Sequence, residues 1–165
     1  MRRGPLVVDA NVLIDYAESQ PQVLALITHV ISPLWIARPL LREVQRLDER
    51  ECEELGLGVI DPSFEQLVEA GSLGGPLSFE DWLCLILARD RDCICVTNDR
   101  RLRKECLASG VQVLWGLELM VELVSRKMLR TEEAIQVARA IQRGNPTHIT
   151  PAVIERFEKR VLGES

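Results

Sequence analysis

Four carboxylates in this 165-residue chain are spaced to do joint chemistry: Asp9, Glu43, Asp81 and Asp99. Asp9 directly follows the apolar run Leu6-Val-Val8, and Asp99 closes a second run, Cys93-Ile-Cys-Val-Thr-Asn98. Both runs read as short buried strands. In an open parallel sheet, ligands bind beyond the carboxyl ends of the strands. If the two strands are neighbours, both carboxylates reach one crevice. Asp81 falls in the first turn of a helix that begins after Ser78, and Glu43 in the first turns of a helix opened by Pro39. Four carboxylates gathered within several ångströms repel one another by on the order of 1 kcal/mol per pair, even at high dielectric. They stay ionised together only around a cation. An oxygen-only ligand set selects hard ions, Mg²⁺ or Mn²⁺. Such an ion polarises a phosphoryl oxygen and lowers the pKa of a bound water. Phosphodiester hydrolysis is the matching reaction class.

Each acid also has a simpler role open to it. Asp9 can end a strand and begin a turn. Asp99 can be the N-cap of the helix that follows it. Asp81 stands three residues after Ser78, the spacing of a capping box. Glu43 can be a solvated helix residue. His29 and His148 read as surface or packing residues.

The elements that would position these side chains alternate along the chain. Strands are expected near 6–9, 34–37, 57–60, 93–97 and 111–115. Helices are expected over 15–30 with a break at Pro21, over 39–55, near 64–71, over 79–90 and over 99–109. Leu40, Leu41, Val44 and Leu47 recur at helical spacing, Pro39 suits the first turn, and Gly56 suits the end. Gly71 to Pro76 reads as a loop. The alternation predicts a parallel sheet covered on both faces, an α/β/α three-layer arrangement. After Gly116 the pattern changes to helices over 117–127, 131–143 and 151–162. The expected division is therefore a domain over 1–116 and a helical extension over 117–165, packed on the same domain or on a second subunit.

Composition sets limits on function. Hydrophobic residues make up 47% and charged residues 27%, an ordinary globular balance. A net charge of −5 argues against a simple basic protein that coats nucleic acid. Charge is unevenly placed: 17 acids and 8 bases over 1–99, then 8 acids and 12 bases over 100–165. Glu43 to Glu54 alone holds much of the acidic excess. No apolar run approaches the ~18–20 residues of a membrane span. Arg2 and Arg3 precede an apolar run that Asp9 cuts too short for a signal-peptide core. The expectation is a cytoplasmic protein with no membrane partner. Cys52, Cys84, Cys93, Cys95 and Cys106 form no CxxC pair, which argues against a zinc site and for buried free thiols.

Several segments carry a family resemblance. Val7-Val-Asp-Ala-Asn-Val-Leu-Ile14 resembles the opening motif of PIN-domain ribonucleases. Leu77-Ser-Phe-Glu-Asp81 with its apolar helix is similar to the family's third-acid segment. Val96-Thr-Asn-Asp-Arg-Arg-Leu-Arg103, followed by Gly110-Val-Gln-Val113, is similar to the fourth-acid segment. Leu41-Arg-Glu43-Val44 resembles the second-acid motif. The resemblance spans about residues 6–116; the tail is similar to the helical extension of a PIN subgroup. It implies a PIN-like fold, with Asp9, Glu43, Asp81 and Asp99 as catalytic, metal-binding acids. Asn11, Thr97 and Asn98 would support the pocket. The implied activity is endonucleolytic cleavage of RNA with Mg²⁺ or Mn²⁺. A toxin of a toxin–antitoxin pair, an antitoxin partner and a homodimer are implied as the family's common setting.

An acidic pocket repels an RNA backbone, so cations elsewhere must hold the strand. Arg100, Arg103 and Lys104 sit at i, i+3 and i+4, one helix face suited to phosphate. A solvated face is the simpler reading of the same residues. Arg126, Lys127 and Arg130 form a weaker candidate. Trp82 reads as core, and few aromatics are present to stack bases. Two rival functions stay open. One is an inactive PIN scaffold that binds RNA or a protein. The other is a Mg²⁺ phosphatase, disfavoured because Asp9-Ala-Asn11 has no second Asp two residues on.

Overall fold

Three consecutive fully buried residues, Leu6–Val8, form the central strand β1 of a five-stranded, all-parallel sheet ordered β3-β2-β1-β4-β5. The computed structural model describes residues 4–164, so Arg2 and Arg3 lie outside the described residues. The other strands are β2 (Leu34–Ala37), β3 (Gly58–Ile60), β4 (Ile94–Val96) and β5 (Val113–Leu114). Burial on both faces is why these strands are continuous apolar runs rather than alternating ones. Two crossovers from β1 move outward through β2 to β3, whereas those into β4 and β5 move the other way. Right-handed crossovers of opposite direction put their helices on opposite faces of the sheet. The result is the expected α/β/α arrangement.

Helix α6 (Phe79–Asp90) packs across β1, β2 and β4, flanked by α5 (Phe64–Leu73) and α7 (Arg100–Ala108). Before β2 come α1 (Ala10–Ser19), α2 (Gln22–Leu26) and a π-helical turn at Ile27–Ile31. Helix α1 therefore starts at Ala10, straight after Asp9, rather than near Asp15. Pro21 does break the helix, as its lost N–H requires.

The helix expected over 39–55 is two helices, α3 (Arg38–Leu41) and α4 (Glu49–Leu55), separated by a turn. Asp48 and Glu51 form a reciprocal capping box that starts α4 afresh. Val44 and Leu47 keep the helical spacing in sequence, yet they are buried from that turn. Helix α5 also runs two residues past Gly71, to Leu73.

The tail forms α8 (Gly116–Ser125), α9 (Thr131–Gly144) and α10 (Pro151–Val161). Helix α9 packs on α1, α8 packs on the π-helical turn, and α10 packs on α8 and α9. Buried Leu117, Met120, Leu123, Ala138, Ile141 and Phe157 continue the core of the sheet domain. All five cysteines are free and buried. Trp82 is only partly buried against the core, with its indole N–H donating to the Gly74 carbonyl at 2.7 Å. No helix among the described residues is long and apolar enough to cross a membrane.

One glycine is fixed by a close approach. Gly58 pairs with Trp35 across β2 and β3, and a Cβ there would sit 2.1 Å from the Trp35 ring. Gly58→Ala is expected to destabilise the fold by about 1–3 kcal/mol, the usual cost of overpacking. Urea denaturation checks this; an unchanged midpoint would show that the ring moves aside freely.

Candidate active site

Strands β1 and β4 are neighbours in parallel register, with Val8 opposite Val96. Their next residues carry Asp9 and Thr97 off the carboxyl ends of the sheet. The strand order reverses direction between β1 and β4, which is the topological switch point where open α/β sheets bind ligands. Asp9 is 3% exposed, and the Thr97 hydroxyl donates to its Oδ2 at 3.0 Å. The same hydroxyl accepts from the Asp99 backbone N–H at 3.0 Å, so Thr97 fixes the first acid and the approach to the fourth. Asp99 is partly buried, and its Oδ1 accepts from the backbone N–H groups of Arg101 at 2.7 Å and Leu102 at 3.3 Å. It is thus the N-cap of α7.

Asp81 arrives from α6, which α5 and α7 flank. Ser78 and Asp81 form the capping box that their spacing predicts. The Ser78 hydroxyl accepts from the Asp81 N–H at 3.1 Å, and Asp81 Oδ2 accepts from the Ser78 N–H at 3.3 Å. Glu43 stands on the turn after α3, exposed, with its own N–H held by the Leu40 carbonyl at 3.0 Å.

The acids feel one another. Burial pushes the Asp9 carboxyl up to about 7, and the Asp81 charge adds to this, with a smaller push from Asp99. The Thr97 hydroxyl and the Asn11 backbone N–H pull the other way. Asp81 is also raised, first by burial and then by Asp99 and Glu80, against the lowering effect of Ser78. Glu43, though exposed, is raised by partial desolvation of its carboxyl, then by Glu80 and Asp81. Glu80 is a member of this field that sequence reasoning passed over. Its signal was its place beside Asp81 in the first turn of one helix.

By donor chemistry the site fits a hard divalent cation: oxygen ligands only, and a buried carboxylate whose charge has no neutralising partner among the described residues. It is not drawn together in advance. Among the described residues, no three His, Cys, Asp or Glu side chains are grouped so as to hold a metal ion. The physical reason is visible in the caps. Like charges repel, and Asp81 and Asp99 each take a nearby backbone N–H instead of converging on Asp9.

Behind the site lies a buried polar knot. Asn98 Oδ1 accepts from the Gly116 N–H at 2.9 Å, and its Nδ2 donates to Asp15 at 3.4 Å. Asn145, just beyond α9, donates to the same carboxylate at 3.1 Å. Tyr16 donates its hydroxyl to the Gly116 carbonyl at 2.6 Å. A Cβ at Gly116 would meet both Asn98 and Val12 at 3.1–3.2 Å. Asn98 therefore spends its amide on Asp15 and Gly116, joining the sheet to the tail, and makes no hydrogen bond to Asp9, Asp81 or Asp99. The side chain of Asn11 is exposed.

The cationic candidates separate. Arg100 and Lys104 are exposed. Arg103 instead lies over the Trp115 ring, 4.4 Å from its centroid. Arg126 is committed elsewhere, to the Val30 carbonyl at 2.7 Å and to Glu122 at 2.5 Å. His148 lines a cleft beside α7, and His29 stands 2.7 Å from the Ala25 carbonyl.

The parallel five-stranded sheet flanked by helices is PIN-like in fold, as a likeness to a solved structure shows. One solved structure it matches is a PilT N-terminus domain protein from the hyperthermophilic archaeon Sulfolobus solfataricus, with a TM-score of 0.54. The two share 12% identity over 72% of this chain and 92% of the other, a likeness of fold. No protein-family model and no curated protein sequence matches the chain.

Proposed function

We propose that this protein is a divalent-metal-dependent endoribonuclease that hydrolyses RNA phosphodiester bonds. The observation that supports it most is the buried Asp9 at the switch point, electrostatically coupled to Asp81 and Asp99. A carboxylate whose burial disfavours its charge is primed for a cation, and PIN-like folds are generally nuclease scaffolds. Asp9, Asp81, Asp99 and the outlying Glu43 would hold Mg²⁺ or Mn²⁺. Such an ion supplies an activated water and charge stabilisation at the phosphoryl group. Thr97 keeps Asp9 oriented. Service as the toxin of a toxin–antitoxin pair, a homodimeric state and a cytoplasmic setting belong to the same proposal, on the resemblance of the motifs.

The test separates charge from structure. Asn caps helices as well as Asp does, so Asp99→Asn is expected to keep α7 and the stability of the fold. Cleavage of a single-stranded RNA with Mg²⁺ or Mn²⁺ should fall at least 100-fold, a loss typical of removing an electrostatic element of a site. Parent-like cleavage by this variant sinks the assignment. The second reading, a non-catalytic scaffold, is favoured by one observation: Asp81 and Asp99 already serve as helix caps. It expects RNA affinity with no metal-dependent turnover in the parent.

A further inference from the structure

A cleft of about 760 Å³ opens between the start of α7, the end of β5 and α10. That volume lies within the ~300–1,000 Å³ range of ligand sites. Five arginines line it: Arg100, Arg101 and Arg103 from α7, and Arg156 and Arg160 from α10. None of the five makes an ion pair among the described residues, and only Asp99 and Glu118 of the lining carry negative charge. A chain with net charge −5 has thus gathered a locally positive cleft beside its acids.

The floor is built rather than incidental. Arg103 is held by the Trp115 ring, a cation–π contact that orders a guanidinium without neutralising it. Its Nη1 is the one buried side-chain polar atom among the described residues that lacks a hydrogen-bond partner. An unmatched buried donor is costly unless an acceptor is supplied. Arg156 and Arg160, at i and i+4, share one exposed face of α10. Val121, Val153 and Phe157 add an apolar wall.

We propose that this cleft binds the phosphodiester backbone of a single RNA strand flanking the scissile bond. The helical tail would then be a substrate-holding element. Asp99 both couples to the carboxylate site and lines the cleft, so a strand leaving the acids runs directly onto the arginines. Forked guanidinium groups suit phosphate oxygens, and the apolar wall suits base faces without reading sequence. This inference rests on the RNA substrate of the proposed function, but it is tested without catalysis.

The experiment measures anisotropy of a labelled mixed-sequence single-stranded oligoribonucleotide with the full chain in chelator, where metal-dependent cleavage cannot contribute. The double variant Arg156→Gln/Arg160→Gln changes exposed side chains only, and circular dichroism confirms that it folds. Loss of two phosphate contacts should weaken binding about tenfold or more at low salt. It should also shallow the log–log salt slope by roughly 1.4. A control, Arg91→Gln/Arg143→Gln, removes the same charge outside the cleft and should bind like the parent. Equal weakening in the control, parent-like affinity in the test variant, or a preference for an acidic peptide over the RNA overturns the proposal. Metal-dependent cleavage is scored separately, so a dead nuclease with an intact cleft is distinguishable from the reverse.

Discussion

Asp9→Asn is expected to abolish cleavage and, in chelator at pH 8, to make the protein more stable than the parent. Asp9 is almost wholly buried and has no cationic partner among the described residues. Its carboxyl is pushed up from 3.8 to about 7. A carboxyl raised by folding contributes stability below its unfolded pKa, and that contribution is lost as pH rises through the folded value. Ionisation above pH 7 therefore opposes folding, by on the order of 2–4 kcal/mol at 1.36 kcal/mol per pKa unit. Asparagine keeps the shape and an acceptor for Thr97 and carries no charge. Denaturant midpoints at pH 8 should rise in the variant, and the difference should shrink towards pH 5. Mg²⁺ should stabilise the parent by binding the folded state only, and leave the variant unmoved. A variant less stable than the parent at pH 8 would show that Asp9 is compensated in a way its surroundings do not suggest.

Replacing Asn98 should have the second largest effect, and of the opposite sign. Asn98→Ala leaves the buried Gly116 N–H without its acceptor and takes one of two amide donors from Asp15. An orphaned buried group costs about 1–3 kcal/mol, so a loss of 2–3 kcal/mol is expected. Asn98→Asp adds pH dependence. It keeps an acceptor for Gly116 but sets a second carboxylate beside Asp15, which burial already holds up at about 6. Two adjacent carboxyls share a proton at low pH and repel when both are ionised. The Asp variant should therefore be more stable than the Ala variant at pH 5, nearer the parent, and should lose that advantage by pH 8. Thermal midpoints at the two pH values check this; equal deficits would show that the pair does not interact.

Much of the sheet was legible because its strands are apolar on both faces and end abruptly in polar residues. Leu6–Val8 with Asp9, and Ile94–Val96 with Thr97 to Asp99, carry that pattern in their residue types. The capping box at Ser78 and Asp99's role as N-cap were legible because they are local. The break inside 39–55 was not. There the helical spacing of Leu40, Leu41, Val44 and Leu47 persists while the backbone turns, and the Asp48–Glu51 cap wins locally. The role of Asn98 was hidden too, because its partners Asp15, Gly116 and Asn145 are distant in sequence.

The charge asymmetry divides the same way. Residue order alone determined that acids crowd the first part and bases the tail, since composition is a property of the chain. Local patterning determined the strands and their closing acids, because period and caps act within a few residues. Only the tertiary structure decided that Arg156 and Arg160 come round to face Arg100, Arg101 and Arg103, which requires α10 to pack on α8 and α9. Only it decided that Asp9 is buried deeply enough for its charge to be unfavourable. Solvation and charge–charge repulsion depend on distance through space, and that distance exists only once the sheet has closed and the tail has docked.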